Sequence, residues 1–219
     1  MSNLGDQARL SREQSLEQAQ RAILAAVETA PSTPLILIDG RSGAGKTHFA
    51  KELADRLWRE LEQAPRTVHM DNLYPGWDGL REGSLYLLRQ ILQPISRGGT
   101  ARWQHWNWAR GMRGTGGGAD NGWREFSGGT PLLVEGCGSI SRETAGLAHL
   151  SLWIHADTAI RRQRWITRDG DRFGEHWSRW ASQEDEFYQE EKSEQLAQFW
   201  LDNSVFAVGQ PGSNAGDNG

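Results

Sequence analysis

Residues 40–47, Gly40-Arg41-Ser42-Gly43-Ala44-Gly45-Lys46-Thr47, match the pattern G-x-x-x-x-G-K-[ST] at every fixed position. The pattern constrains the fold because each part has a physical task. Glycines let the backbone curl until successive N–H groups point inward and cradle anionic oxygens. A helix that starts at such a cradle adds the partial positive charge of its N-terminus. Lys46 supplies a mobile charge able to follow phosphate oxygens, and the Thr47 hydroxyl suits a hard divalent cation. The flanks complete the order of strand, loop and helix. Leu35, Ile36, Leu37 and Ile38 form an unbroken apolar run ahead of Asp39. Phe49, Leu53 and Leu57 recur at helical spacing behind the loop, with Glu52, Asp55, Arg56 and Arg59 at other positions. The segment therefore reads as a phosphate-binding loop, with Gly40, Ser42, Gly43, Ala44, Gly45, Lys46, Thr47 and His48 as the nucleotide-binding set. A dinucleotide fingerprint is excluded, because His48 stands where its third glycine should fall.

A chain of 219 residues suits one domain with an inserted flap. Its 37% apolar and 24% charged content supports a packed core rather than general disorder. The net charge of −4 gives no global basic field, so neither nucleic acid nor an anionic membrane is expected as a partner. Only Lys46, Lys51 and Lys192 are lysines among the 24 basic residues. Arginine is the better fork for phosphate, although the excess reads mainly as a compositional bias. Cys137 is the single cysteine, which leaves no intrachain disulfide and no Cys-rich metal site. Its expected role is structural. No apolar signal core opens the sequence and no run reaches membrane length, so a cytoplasmic protein is expected.

The chain divides into an N-terminal helical segment (1–30), a nucleotide-binding domain (31–209) and a disordered tail (210–219). Within the domain a flap is expected at about 100–130 and a lid at about 160–175. The first helix, over 11–30, places Leu16, Ala19, Ile23 and Val27 on one face. Strands are expected at 67–70, 131–136, 150–155 and 204–208, in addition to the run before the loop. Helices are expected at about 84–96, after Asp157, and from about 175 to 200. Residues 111–129 are rich in glycine and read as a mobile surface insertion. Strands alternating with helices predict an α/β three-layer sandwich around a mainly parallel sheet.

Two acids fall at the carboxyl ends of strands, where ligands sit in parallel sheets: Asp71 and Glu135. Phosphoryl transfer needs one group to accept the proton of the attacking hydroxyl and others to hold Mg²⁺. Asp71 is the candidate base, with Glu135 kept open for that role, and Thr47, Glu135 and Asp71 are the candidate metal ligands. The helix after Asp157 carries Arg161, Arg162, Arg164 and Arg168. Arg164 and Arg168 are four apart and share a face. They read as lid groups that act on the transferred phosphate beside Lys46. Arg161, Arg168 and Arg172 reach one side if the helix ends near Asp169-Gly170.

Gly40 to Thr47, Asp71-Asn72-Leu73-Tyr74, Glu135-Gly136 and Arg164 to Asp169 together resemble the uridine kinase-like branch of the P-loop kinases, over roughly 35–208. The resemblance implies a five-stranded parallel core in the order 2-3-1-4-5. It also implies Asp71 as the catalytic base, Thr47 and Glu135 serving Mg²⁺, and the arginine segment as the lid. The acceptor pocket departs from the family. Trp106-Asn107-Trp108 stand where a Tyr-Asp-Phe segment holds sugar hydroxyls, and Gly111 lies near the place of a base-contacting histidine. Tyr74, Trp106, Asn107 and Trp108 are the candidate acceptor residues. Asn107 can bond a hydroxyl as a neutral group, and the tryptophans either stack on an aromatic acceptor or close a small core under the flap. The expected activity uses ATP and Mg²⁺ to phosphorylate a hydroxyl of a small, nucleoside-like acceptor. Alternatives are a nucleoside monophosphate kinase and a nucleotide-binding regulatory protein without transfer.

Overall fold

The computed structural model describes residues 11–29, 32–118, 121–169 and 174–204. Helix α1 (Arg12–Thr29) precedes strand β1 (Leu35–Asp39), helix α2 (Lys46–Leu61) and strand β2 (Arg66–His69). A continuous helical stretch follows, made of α3 (Leu80–Leu87), a π-helical turn at Leu88–Leu92 and α4 (Gln93–Ser96). The inserted flap holds β3 (Ala101–Gln104), β4 (Trp106–Asn107), β5 (Met112–Arg113) and β6 (Trp123–Phe126). The chain returns through β7 (Leu132–Glu135), α5 (Arg142–Ala145), β8 (Leu150–His155), α6 (Thr158–Asp169), α7 (Gly174–Glu191), α8 (Ser193–Leu196) and β9 (Phe199–Asp202).

Five strands pair in parallel in the order β2-β7-β1-β8-β9. Counted among themselves they run 2-3-1-4-5; the chain-order labels differ because four flap strands intervene. Successive side chains of β1 take opposite faces. Leu35 and Leu37 pack with Leu87, Ile91 and Trp180 in one core, while Ile36 and Ile38 pack with Leu16, Ile23, Phe49 and Leu53 in the other. Both faces are buried, which is why the strand reads as an unbroken apolar run. Each such Leu or Ile contributes about 1.5–3 kcal/mol by leaving water.

Helix α1 begins with a reciprocal cap. Ser11 Oγ accepts the Gln14 N–H at 3.2 Å, and Gln14 Oε1 accepts the Ser11 N–H at 2.8 Å. Leu16, Ala19 and Ile23 are buried as expected, but Val27 is exposed beyond the packed stretch. Among the described residues, no helix is long and apolar enough to cross a membrane.

Three boundaries differ from the sequence reading. The helix expected at 84–96 starts earlier, at Leu80. Gly83, which looks like a breaker, lies inside it because a Cβ there would stand 2.5 Å from the Tyr74 ring. The helix expected to reach 200 ends at Glu191, where Lys192 turns the chain with φ 60°. Phe199–Asp202 then pairs with Leu152–His155, so the fifth strand lies ahead of the expected 204–208. Tertiary pairing overrides helix propensity there. Residues 205–208, the tail 210–219, the first ten residues and Arg172 lie outside the described residues.

The glycine-rich insertion is not loose at its base. Strand β3 pairs antiparallel with β6, and β4 with β5. Trp103 and Phe126 are buried in the core next to the sheet. Gly111 (φ 62°) and Gly122 (φ 74°) sit at turns that favour glycine.

Candidate active site

The register of the sheet assembles the site. Ile38 pairs with Glu135 and Glu135 with His69, so β1, β7 and β2 end level with one another. The loop from Gly40 to Gly45 leaves β1 at this rim and feeds α2. Gly43 and Gly45 have φ of 80° and 100°. A Cβ on Gly43 would stand 2.4 Å from the Arg161 carbonyl oxygen, and one on Gly45 2.3 Å from Asn203 Nδ2. Glycine is thus required by backbone conformation and by close approach together. Lys46 folds back over the loop, and its Nζ donates to the carbonyls of Gly40 (2.7 Å) and Arg41 (3.0 Å). Burial works against its charge, but Glu135, Glu184 and Asp39 outweigh that, and the net shift of the ammonium is upward.

Thr47 Oγ1 donates to Glu135 Oε1 at 3.1 Å. The same carboxylate oxygen lies 2.6 Å from His69 Nδ1, and this hydrogen bond pushes the imidazole up from its ordinary value. A hydroxyl and a carboxylate side by side are hard oxygen donors of the kind Mg²⁺ takes alongside phosphate oxygens, so the pair fits that ion. Asp71 follows β2 in a short 3₁₀ turn and opens into the same cleft. The surrounding protein, then the charge on Glu135, push its carboxyl up; Lys46, Arg168 and His69 pull it back. Solvent reaches Asp71 through the cleft, which limits the rise. The upward direction suits a proton acceptor.

Two buried acids hold this rim in place. Asp39 accepts the N–H groups of Gly40, Gly138 and Ile140 and the Tyr188 hydroxyl. Glu184, on α7, accepts the Ser42 N–H at 2.6 Å and the Cys137 thiol at 3.2 Å. Burial pushes that thiol up, so Cys137 stays neutral and structural. Gly136, with φ 140°, has no room for a side chain, since a Cβ would stand 2.4 Å from Met70 Cβ. The Glu135-Gly136 pair is therefore fixed sterically as well as chemically.

A cleft of about 540 Å³ gathers most of the expected residues. Ser42, Gly43, Gly45, Lys46, Thr47, His48, Asp71, Tyr74, Trp108, Glu135, Arg164 and Arg168 line it. Gly40 and Ala44 support the loop from behind. Trp108 donates its indole N–H to the Asp71 carbonyl at 2.8 Å and so ties the flap to the turn that carries the acid. Trp106 and Asn107 do not line the cleft. Asn107 Oδ1 accepts the Arg110 N–H at 3.1 Å within the flap turn. The arginines divide. Arg164 reaches the Gly43 and Ala44 carbonyls (3.3 and 3.4 Å) and the Asn203 carbonyl (2.9 Å), which braces the loop. Arg161 is buried and donates to the Ser42 carbonyl at 3.1 Å. Arg168 is exposed at the cleft, with its guanidinium over the Trp165 ring.

His69, Glu184, Trp77, Trp165 and Trp180 were not singled out from the sequence. His69 carried a signal: it precedes Asp71 by two at a strand end. Glu184 carried none, since it lies in a helix rich in glutamate. The tryptophans are spread over a turn and two helices, and only the fold brings them together.

No protein-family model matches the sequence, and no curated protein matches it. Solved structures do share its fold. A possible uridine kinase from Bacillus stearothermophilus superposes with a TM-score of 0.59 at 17% identity, covering 85% of this chain and 97% of that one. A structure described as a putative fructose transport system kinase from Silicibacter sp. TM1040 superposes with a TM-score of 0.52 at 16% identity, covering 85% of this chain and 98% of the other. The five-stranded parallel sheet with its helices thus belongs to a fold that this chain shares with both structures.

Proposed function

We propose that the protein transfers the γ-phosphate of ATP, with Mg²⁺, to a hydroxyl of a small, nucleoside-like acceptor. The observation that carries this is one cleft shared by the phosphate loop, the Thr47–Glu135 pair and Asp71. Lys46 exchanges its two loop carbonyls for phosphate oxygens. Thr47 and Glu135 would hold Mg²⁺, which would supply positive charge to a bound phosphate. Asp71 takes the proton of the acceptor hydroxyl as it attacks. Arg168 stands at the open side, where its guanidinium can meet charge on the moving group. Arg164 keeps the loop in shape. A cytoplasmic location, where ATP is held, fits this reading.

The test is an acceptor panel with ATP and Mg²⁺, read by ADP release. It covers nucleosides, vitamins, sugars and nucleoside monophosphates. Release that depends on a hydroxyl acceptor is expected. Release only with monophosphates replaces the acceptor class, and no acceptor-dependent release replaces the kinase reading with that of a nucleotide-binding regulator.

A further inference from the structure

The turn that carries Asp71 is held from two sides. Met70–Asn72 form a 3₁₀ turn whose Met70 carbonyl accepts the N–H groups of Leu73 and Tyr74 at 2.7 and 3.3 Å. On the inner side Leu73 and Tyr74 are buried, and the Tyr74 hydroxyl donates to the Cys137 carbonyl at 2.8 Å. On the outer side two donors come from the flap hairpin β4–β5. Trp108, just past β4, donates its indole N–H to the Asp71 carbonyl at 2.8 Å. Arg113, at the end of β5, donates to the Leu73 carbonyl at 2.9 Å and to the Gln104 carbonyl at 3.3 Å. Its guanidinium lies 3.6 Å from the centre of the Tyr86 ring, whose hydroxyl accepts the Gln104 N–H at 2.9 Å. One half-buried cation thus joins the hairpin, the end of β3, helix α3 and the Asp71 turn. Only a planar fork of donors reaches two separate carbonyls while stacked on a ring.

We infer that Arg113 and Trp108 are positioning residues: the hairpin latches the Asp71 turn from outside and sets where the carboxylate stands. The effect on rate rests on the proposed transfer reaction, with Asp71 as its base; the latch itself does not. The backbone is held at Asp71 and again two residues on, so the latch brackets the side chain that matters. A single 3₁₀ turn has poor hydrogen-bond geometry and little stiffness of its own. A base must stand within hydrogen-bond reach of the proton it takes, and a misplacement of about 1 Å can cost roughly 10²-fold in rate. Trp108 therefore acts on the base through the backbone, and not as the acceptor contact that its place in the motif implied. The two roles separate in kinetics. Loss of an acceptor contact raises KM, whereas loss of base positioning lowers kcat.

Arg113→Lys keeps the charge without the fork, and Trp108→Phe keeps a ring without the donor. Each is made in the wild-type chain and in Asp71→Asn. With the acceptor that supports ADP release, each should lower kcat by roughly 10–100-fold and leave the acceptor KM within about threefold. In Asp71→Asn each should change the remaining rate by less than about twofold, because no base is left to position. Hydrogen exchange needs no activity. In the full chain without ligand, the Leu73 and Tyr74 amides should exchange roughly fivefold faster in either variant, about the worth of one hydrogen bond. The amides of β1 should keep their rates, which shows that the variant is folded; if one variant loosens β1 as well, the other decides. Three results overturn the inference: unchanged exchange at Leu73 and Tyr74, a raised KM with kcat unchanged, or the same rate loss with and without the Asp71 carboxylate. Failure of the kinase reading looks different. The wild type then gives no acceptor-dependent release, or Asp71→Asn keeps the full rate, and exchange alone decides the latch.

Discussion

Asp39 ends β1 directly before the loop and is fully buried. Its oxygens accept the N–H groups of Gly40 (2.6 Å), Gly138 (3.1 Å) and Ile140 (2.8 Å) and the Tyr188 hydroxyl (2.7 Å). Burial pushes the carboxyl up, while these hydrogen bonds and Lys46 pull it down. Burial wins, and the carboxyl is pushed up from 3.8 to about 6. The folded state therefore keeps a proton that the unfolded chain has released between those values. Stability from Asp39 is full below pH 3.8, falls as pH rises, and is level above about 6. The gap of about 2.2 corresponds to about 3 kcal/mol, or roughly 6–12 °C in Tm for a domain of this size. Other acids titrate in the same range, so the reference is Asp39→Asn, which keeps the shape and does not ionise. Urea unfolding of both proteins is followed from about pH 3.5 to 7.5. Wild-type stability minus that of the variant should fall by about 3 kcal/mol across this window. A constant difference, or one that grows with pH, would refute the reasoning and show that the hydrogen bonds outweigh the burial.

Lys46→Ala should weaken ATP binding and stop acceptor-dependent ADP release, because the phosphates lose their mobile charge; wild-type binding and turnover would remove the loop from the site. Gly43→Ala should lower stability by about 2 kcal/mol in urea unfolding, since it combines a disfavoured φ with a clash on the Arg161 carbonyl. Shortening the flap tip at 116–118 should leave Tm within about 2 °C and change the acceptor KM, whereas Phe126→Ala should cost about 3 kcal/mol because its ring is part of the core.

The loop and its flanking strand were legible because their chemistry is local. The glycines, Lys46, Thr47 and the apolar run of β1 declare themselves within about 20 residues. Asp71 and Glu135 were found because strand ends in a parallel sheet are a rule of topology. What could not be read depends on contacts distant in sequence. Gly83 sits inside a helix only because Tyr74 fills the space beside it. The fifth strand forms where β8 offers an edge, despite a helical pattern running through it. Asn107 was placed by a motif, and its hydrogen bond to the Arg110 N–H in the flap turn could not be read from it. The aromatic rings of the cleft come from residues 74, 77, 108, 165 and 180, and no periodicity joins them.

Asp71→Asn tests the central claim most directly. Asparagine keeps the shape but cannot take the acceptor's proton. Melting temperature and ATP affinity should stay close to wild type, while the rate at saturating ATP and acceptor falls by roughly 10²–10⁴-fold, the usual worth of a positioned base. An unchanged rate, or a loss of stability in place of a loss of rate, would contradict the account and leave Glu135 as the candidate base.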